Sequence, residues 1–330
     1  MNNHPFEFCE IKNYRGIYMN KIDEKKIPLD EVFEDFLTEK NIQLHVLRED
    51  LIHPEISGNK WRKLKYNCIE ATEKGYSQLL TFGGAYSNHI AATAAAGKAF
   101  GFNTIGIIRG EETLPLNNTL QIAAKNGMNF KYVSRQFYRT EKYRNTFLQE
   151  LENEFGKYYL VPEGGSNAFA VKGCTEIINN IITDFDVITC ANGTGGTIAG
   201  IIASLDRSKE VIGFPALKGC GFLKNEIQRL LNEYALKFEK EIQHNNWSLN
   251  TDYHFGGYGK INNELIAFVN DFKQKHHIPL DLIYTGKMLF GIYHIAKTTD
   301  YFNGKRIVVV HTGGLQGNKG FVERLGIELK

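Results

Sequence analysis

Residues 78–110, QLLTFGGAYSNHIAATAAAGKAFGFNTIGIIRG, decide the fold. QLLTF (78–82) is a short apolar run of strand length, Gly83-Gly84 reads as a turn, and Ser87 opens an Ala-rich stretch with a capping residue at its start. TIGIIRG (104–110) is a second strand. A strand, a helix and a strand in so few residues make one unit of the α/β pattern. FKYVS (130–134), YYLVPEGG (158–165), DVITCANG (186–193), VIGFPA (211–216) and RIVVVHTGG (306–314) repeat the strand signal, several ending in glycines, with amphipathic stretches between them. Ligands of open parallel sheets bind beyond the carboxyl ends of the strands, where loops converge and helix N-termini present free N–H groups. The Gly-rich loops fall at those ends.

Composition excludes several classes. The 330 residues are 42% hydrophobic and 23% charged, which suits a globular chain of about two domains. With 39 basic and 37 acidic residues the net charge is +2, too small a field to hold nucleic acid or an anionic membrane. Cys9, Cys68, Cys174, Cys190 and Cys220 are odd in number and never form a Cys-x-x-Cys pair, so neither a disulfide framework nor a metal site is expected. The first residues, MNNHPFEF, lack the apolar core of a signal peptide, and no segment has the apolar length of a membrane span. A reducing, cytoplasmic location is expected. LDEVFEDFL (29–37) has an amphipathic pattern suited to packing on the body or on a partner subunit.

Five constellations carry chemistry. ANGTGGTIAG (191–200) follows a strand and enters a helix pattern, so its backbone can approach an anion closely. It is no dinucleotide fingerprint, because Ile198 stands where the third glycine belongs, and no Gly-Lys pair in the chain is followed by Ser or Thr as a nucleotide P-loop requires. A small phosphate ligand fits better; a plain strand-to-helix turn fits equally. HPEISGNKWRKLKYN (53–67) places Lys60, Arg62, Lys63 and Lys65 behind a turn that Gly58 permits and Asn59 can cap. Such a run is usually a solvated basic face, but a desolvated lysine flanked by cations is also the route to a Schiff base. GGAYSNH (83–89) puts a hydroxyl, an amide and an imidazole at a helix start, a site for a carboxylate, with simple capping by Ser87 as the competing reading. No Gly-x-Ser-x-Gly elbow accompanies it. Tyr258 in FGGYGK and Tyr284 in LIYTGK lie in turn contexts, and VVVHTGG (308–314) ends a strand in His311, Thr312 and two glycines; core or surface roles explain each alone.

Together, SGNKWRKLKY, GGAYSNH, VPEGGSN, GTGGTIAG, YTGKM and HTGG follow one another as they do in the pyridoxal-phosphate family of D-cysteine desulfhydrase and 1-aminocyclopropane-1-carboxylate (ACC) deaminase, which the chain resembles from about residue 48 to 317. The resemblance implies the tryptophan synthase β-subunit-like fold (fold type II), with two three-layer αβα domains and the cofactor between them. It divides the chain into a large domain of residues 1–62 and 173–330 and a small one of 63–172. It further implies that Lys60 binds the cofactor covalently, that Lys63 and the loop Thr194, Gly195, Gly196 and Thr197 hold its phosphate, and that Asn88 meets its phenolic oxygen. Ser87, Asn88 and His89 would then bind substrate, and Tyr258 and Tyr284 would be the active-site tyrosines. A homodimer acting on a small amino acid is expected.

Thr285, Thr312 and His89 follow the desulfhydrase pattern, where the deaminases carry Glu, Leu and Gln. A threonine hydroxyl near the pyridine nitrogen would give a neutral hydrogen bond and a weaker electron sink, suited to elimination of a good leaving group such as thiolate. The expected activity is α,β-elimination from D-cysteine to pyruvate, ammonia and hydrogen sulfide. ACC deamination is the alternative, and a non-catalytic pyridoxal-phosphate or phosphate-ligand binding protein the third. Tyr86, Ile90-Ala91 and residues 214–226 depart from the family pattern near the expected pocket, which leaves D-serine or β-chloro-D-alanine open as substrates.

Overall fold

In this computed structural model the described residues are 27–243 and 245–329; Cys9 and the opening MNNHPFEF lie outside them. The order begins β1 (Leu29–Val32), α1 (Asp35–Glu39), β2 (Gln43–Leu47) and α2 (Asn59–Glu73). There follow β3 (Gln78–Gly84), α3 (Asn88–Phe100), β4 (Asn103–Arg109), α4 (Asn118–Lys125), β5 (Met128–Val133), α5 (Arg135–Glu141), α6 (Asn145–Phe155) and β6 (Tyr159–Val161). The chain continues through α7 (Ala168–Cys174), β7 (Val187–Asn192), α8 (Gly196–Ser204), β8 (Glu210–Pro215), α9 (Phe222–Phe238) and β9 (Trp247–Leu249). It closes with α10 (Asn263–His276), α11 (Thr285–Thr298), β10 (Arg306–Val310) and α12 (Gly317–Leu325).

The strands form two sheets. Six pair in the order β1-β2-β10-β7-β8-β9 and four in the order β5-β4-β3-β6. All pairs are parallel except β1 with β2. Parallel strands must be covered on both faces, and residue alternation shows how. In β10, Ile307 and Val309 join the core that includes Leu289 and Ile292 of α11, while Val308 and Val310 join the core that includes Ile198 and Ile201 of α8. In the smaller sheet Ile105 and Ile107 pack with Phe147 and Leu151 of α6, whereas Ile108 faces Ile90 and Ala94 of α3.

Both sheets reverse their strand order at one strand. β3 has β4 on one side and β6 on the other, and β7 lies between β8 and β10. The two reversal points leave crevices at the carboxyl ends of β3 and β7, and there the loops 85–87 and 193–195 stand. They line one cleft. Helix α2 crosses behind it, packed so closely on α7 that a Cβ at Gly173 would come 1.8 Å from the carbonyl oxygen of Arg62.

Three local expectations change. Gly83 and Gly84 continue β3 and the turn falls after them, because the strand pairs with β4 as far as Gly84 opposite Arg109. The amphipathic segment 29–37 is an edge strand, antiparallel to β2, followed by a short helix; Val32 and Leu37 bury into the core on the α11 side. Asn59 is the first residue of α2 and not its cap, a position taken by Gly58.

Candidate active site

The basic run is not a solvated face. Arg62 is buried and forms two 3.1 Å bonds to Glu49, and Lys65 pairs with Glu176 at 2.8 Å. These two anchor α2. Lys60 and Lys63 turn instead to the cleft, which they both line.

Lys60 lies in the first turn of α2 and its Nζ donates to Asn59 Oδ1 at 2.9 Å. Burial, reinforced by the charge of Lys63, lowers its pKa to about 7. A lysine so placed is partly neutral near pH 7 and therefore nucleophilic. Gly58 sets its position: at φ +65°, it lies where any Cβ would strike the Thr312 carbonyl oxygen at 1.9 Å. The Asn59 N–H donates to that same oxygen, so the start of α2 is docked against the loop after β10.

Lys63, one turn on, is buried, and burial lowers its pKa too. Its Nζ reaches Gly164 O at 3.1 Å, Ser166 Oγ at 3.3 Å and Thr194 Oγ1 at 3.4 Å. Those contacts bring it to the start of α8, whose first N–H groups lack intrahelical partners. Gly196 keeps the space open, since a Cβ there would come 2.9 Å from Ser166 Oγ and 3.1 Å from Lys63 Nζ. Asn59 Nδ2 donates to Thr197 Oγ1 at 2.8 Å, so Thr194, Gly195, Gly196 and Thr197 form one cradle with both lysines beside it.

On the opposite wall Ser87 occupies the N-cap of α3, but its hydroxyl makes no capping hydrogen bond. The hydroxyl is uncommitted, and it stands with the free amides of the helix start, an arrangement that receives a carboxylate. Asn88 Oδ1 is buried without a hydrogen-bond partner. His89 is buried, with Nε2 2.8 Å from Thr81 Oγ1, which in turn donates to Val161 O. Burial and the two lysines hold His89 well below its usual pKa; it is neutral and tied to β3, with Nδ1 unpartnered.

Tyr258 and Tyr284 meet edge to face, ring centroids 6.0 Å apart. Burial raises both hydroxyls, Tyr284 well above the usual value and Tyr258 less, with Tyr284 and Arg109 pulling Tyr258 back. Tyr258 is 41% exposed at the cleft. Its loop is pinned by the buried Lys287, whose Nζ donates to His254 O and Gly257 O at 2.9 Å each.

The two threonines part company. Thr312 lines the cleft, whereas Thr285 is 0% exposed and lies outside the lining. Its Oγ1 donates to Asp281 Oδ2 at 2.6 Å. The hydroxyl proton is thus committed to a carboxylate, so the neutral hydrogen bond to a ring nitrogen expected from sequence would have to be one that Thr285 Oγ1 accepts. Asp281 also accepts from the N–H groups of Ile283, Tyr284 and Thr285, which fixes the start of α11 and so the backbone of Tyr284.

Sequence reasoning missed Asp281, Ser166 and Arg109. Asp281 precedes YTGK by three residues and reads from sequence as an ordinary helix-start acid; Ser166 was within the recognised VPEGGSN but carried no role. Of the departures, Tyr86, Leu217, Phe222 and Glu226 line the cleft, while Ile90 is wholly buried beneath it. The residues present fit pyridoxal phosphate: an amine that deprotonates near neutrality, a lysine and helix start shaped for a phosphate, and a cleft-lining Asn88 amide whose Nδ2–H can donate to a phenolic oxygen.

The model of the family described as "Pyridoxal-phosphate dependent enzyme" matches residues 27–313. The chain is 31% identical to a protein of Arabidopsis thaliana named bifunctional D-cysteine desulfhydrase/1-aminocyclopropane-1-carboxylate deaminase, mitochondrial, over 83% of this chain and 73% of that one. It is 25% identical to the D-cysteine desulfhydrase of Yersinia enterocolitica over 82% and 86%. Among solved structures an ACC deaminase homologue superposes with a TM-score of 0.79 at 28% identity, covering 91% of this chain and 92% of the other. The fold type II architecture expected from the motifs is the one observed, and the chain belongs to the pyridoxal-phosphate-dependent enzyme family.

Proposed function

We propose that this chain is a D-cysteine desulfhydrase-like lyase that eliminates sulfide from D-cysteine and yields pyruvate and ammonia. The observation that carries the reading is the pair Lys60 and Lys63 on one helix turn: a cleft-facing amine whose pKa burial brings to about 7, beside a lysine committed to a phosphate-shaped cradle.

Bound there, pyridoxal phosphate supplies an electron sink for the pair left at Cα when its proton is removed. Lys63, Ser166 and the 194–197 loop hold the phosphate by charge-assisted hydrogen bonds. Ser87 and the amides that open α3 orient the substrate carboxylate, and Asn88 holds the ring's phenolic oxygen. Lys60, neutral once freed by the substrate amine, takes the Cα proton. Tyr258 gives a proton to the departing sulfur: it is cleft-exposed and the more acidic of the two tyrosines, while Tyr284 orients it. His89, neutral and fixed to Thr81, forms an uncharged wall behind Ser87.

The same reading takes the chain as a cytoplasmic homodimer, divided into residues 1–62 with 173–330 and an inner domain 63–172. What supports the division is that every strand of the smaller sheet lies between residues 78 and 161. Among the described residues no helix is long and apolar enough to cross a membrane.

ACC deamination is the second reading, favoured by one observation: Asp281 sits 2.6 Å behind Thr285, so a carboxylate is one hydrogen bond from the position where the deaminases carry Glu. Product analysis after separate incubation with D-cysteine, L-cysteine, D-serine and ACC decides between them. Sulfide and pyruvate from D-cysteine alone are expected; 2-oxobutyrate from ACC without sulfide from D-cysteine would overturn the assignment.

A further inference from the structure

One wall of the cleft carries cations that no carboxylate answers. Arg109 is the last residue of β4 and pairs in register with Gly84 of β3, so it stands at the carboxyl end of the smaller sheet where the cleft opens. Gly84 gives it room: a Cβ at that position would come 3.3 Å from Arg109 Nη2. The guanidinium lies over the Tyr138 ring, 5.5 Å from its centroid, a stacking that orients the planar group. Arg135 and Arg139 of α5 line the same cleft.

Among the described residues none of these three arginines has a carboxylate within salt-bridge distance, whereas other cations of the lining are answered. Lys142 pairs with Glu163, and Arg229 with Glu226 and Glu233. The two anions already required are also accounted for, the phosphate at Lys63 and the α-carboxylate at Ser87. Arg109 is left as a cleft-lining cation with no carboxylate in salt-bridge range among the described residues. Tyr258 lines the same cleft, and its hydroxyl, which burial raises, is drawn back down by the charge of Arg109. Arginines on a concave wall focus their field into it, and the planar fork matches an oxyanion in bidentate fashion.

We propose that Arg109, with Arg135 and Arg139 beside it, receives a second anionic group carried on the substrate side chain, so that the cleft takes β-substituted amino acids whose leaving group bears an oxyanion. This rests on the lyase reading above and extends its substrate class beyond D-cysteine, whose leaving thiolate carries no oxyanion. In the elimination the Cα–H and Cβ–X bonds break, the proton passing to Lys60 and X leaving with the bond pair. An X that already bears an oxyanion is held at Arg109 as it departs.

The test is binding to the cofactor-loaded protein, followed by the change in cofactor absorbance, of D-aspartate and D-glutamate against their uncharged isosteres D-asparagine and D-glutamine. At least one acid is expected to bind about tenfold or more tightly than its amide, as one charge-assisted hydrogen-bonded pair allows. Arg109→Gln should erase that preference and leave the amide's affinity within about twofold. Equal binding of acid and amide by the unsubstituted protein would overturn the proposal, as would an Arg109→Gln variant that weakens both alike, since Arg109 would then hold the α-carboxylate. Absence of any spectral change with all four, together with no turnover of D-cysteine, would remove the lyase reading as well; turnover of D-cysteine without acid preference removes this inference alone. If Arg109→Gln does not fold, the double variant Arg135→Gln with Arg139→Gln reads the same preference and should reduce it.

Discussion

Asn59 Nδ2 donates a 2.8 Å hydrogen bond to Thr197 Oγ1 while Asn59 Oδ1 accepts from Lys60 Nζ at 2.9 Å. One amide therefore ties the reactive amine to the phosphate cradle. Both partners belong to the proposed cofactor site, and the amide sets their separation.

Asn59→Ala leaves Thr197 Oγ1 and Lys60 Nζ without that partner. Loss of two hydrogen bonds behind a binding site is expected to weaken cofactor binding about tenfold, read by titrating the apo-protein with pyridoxal phosphate. An unchanged affinity would show that the link is incidental.

The pKa of Lys60 has a sign that can be measured. Only the neutral amine attacks an aldehyde, and burial with Lys63 lowers the pKa to about 7, so the fraction of reactive amine rises with pH and is half-complete near that value. The rate at which the apo-protein takes up pyridoxal phosphate should climb to a plateau just above neutrality. A rate still rising in proportion to hydroxide above pH 9 would place the amine near its ordinary value.

Lys287 positions Tyr258 through its bonds to His254 O and Gly257 O. Lys287→Met keeps most of the stem's volume but leaves two carbonyls without their donor, costing about 1–3 kcal/mol of stability. Turnover should fall to about the level of Tyr258→Phe, and the double variant should be no worse than the poorer single one. Additive losses would mean that Lys287 acts elsewhere.

How much of this was legible beforehand follows the range of each interaction. β10 and β7 announce themselves as apolar runs, because strands buried on both faces read as continuous hydrophobic stretches. β1, β2 and β9 do not: LDEV and QLHVL carry charged or polar residues, and WSL is three residues long. Their strand state comes from neighbours, Leu44 of β2 pairing with Ile307 and Val211 of β8 with Trp247. Within the basic run, no local signal separates Arg62 and Lys65 from Lys60 and Lys63. The partners that decide it, Glu49 and Glu176, lie 13 and 114 residues from Arg62. Thr285 was found as a motif position, yet its hydroxyl's direction depended on Asp281, which no motif had marked.

Glu49 and Arg62 are both buried, and their pairing holds α2 in place. Glu49→Gln removes the fully buried one of the two carboxylates that pair with the Arg62 guanidinium and leaves it the partly exposed Glu176; breaking a buried pair costs up to about 3–5 kcal/mol. Denaturant unfolding should show a loss of that order. Glu176→Gln should cost less, because its carboxylate is partly exposed. Equal losses would contradict the burial argument.

The most direct test of the site is borohydride reduction of the cofactor-loaded protein followed by peptide mapping. A pyridoxyl group on Lys60 alone is the expected result. Label on Lys63 or Lys287, or no label on any lysine, would contradict the assignment of Lys60 as the reactive amine.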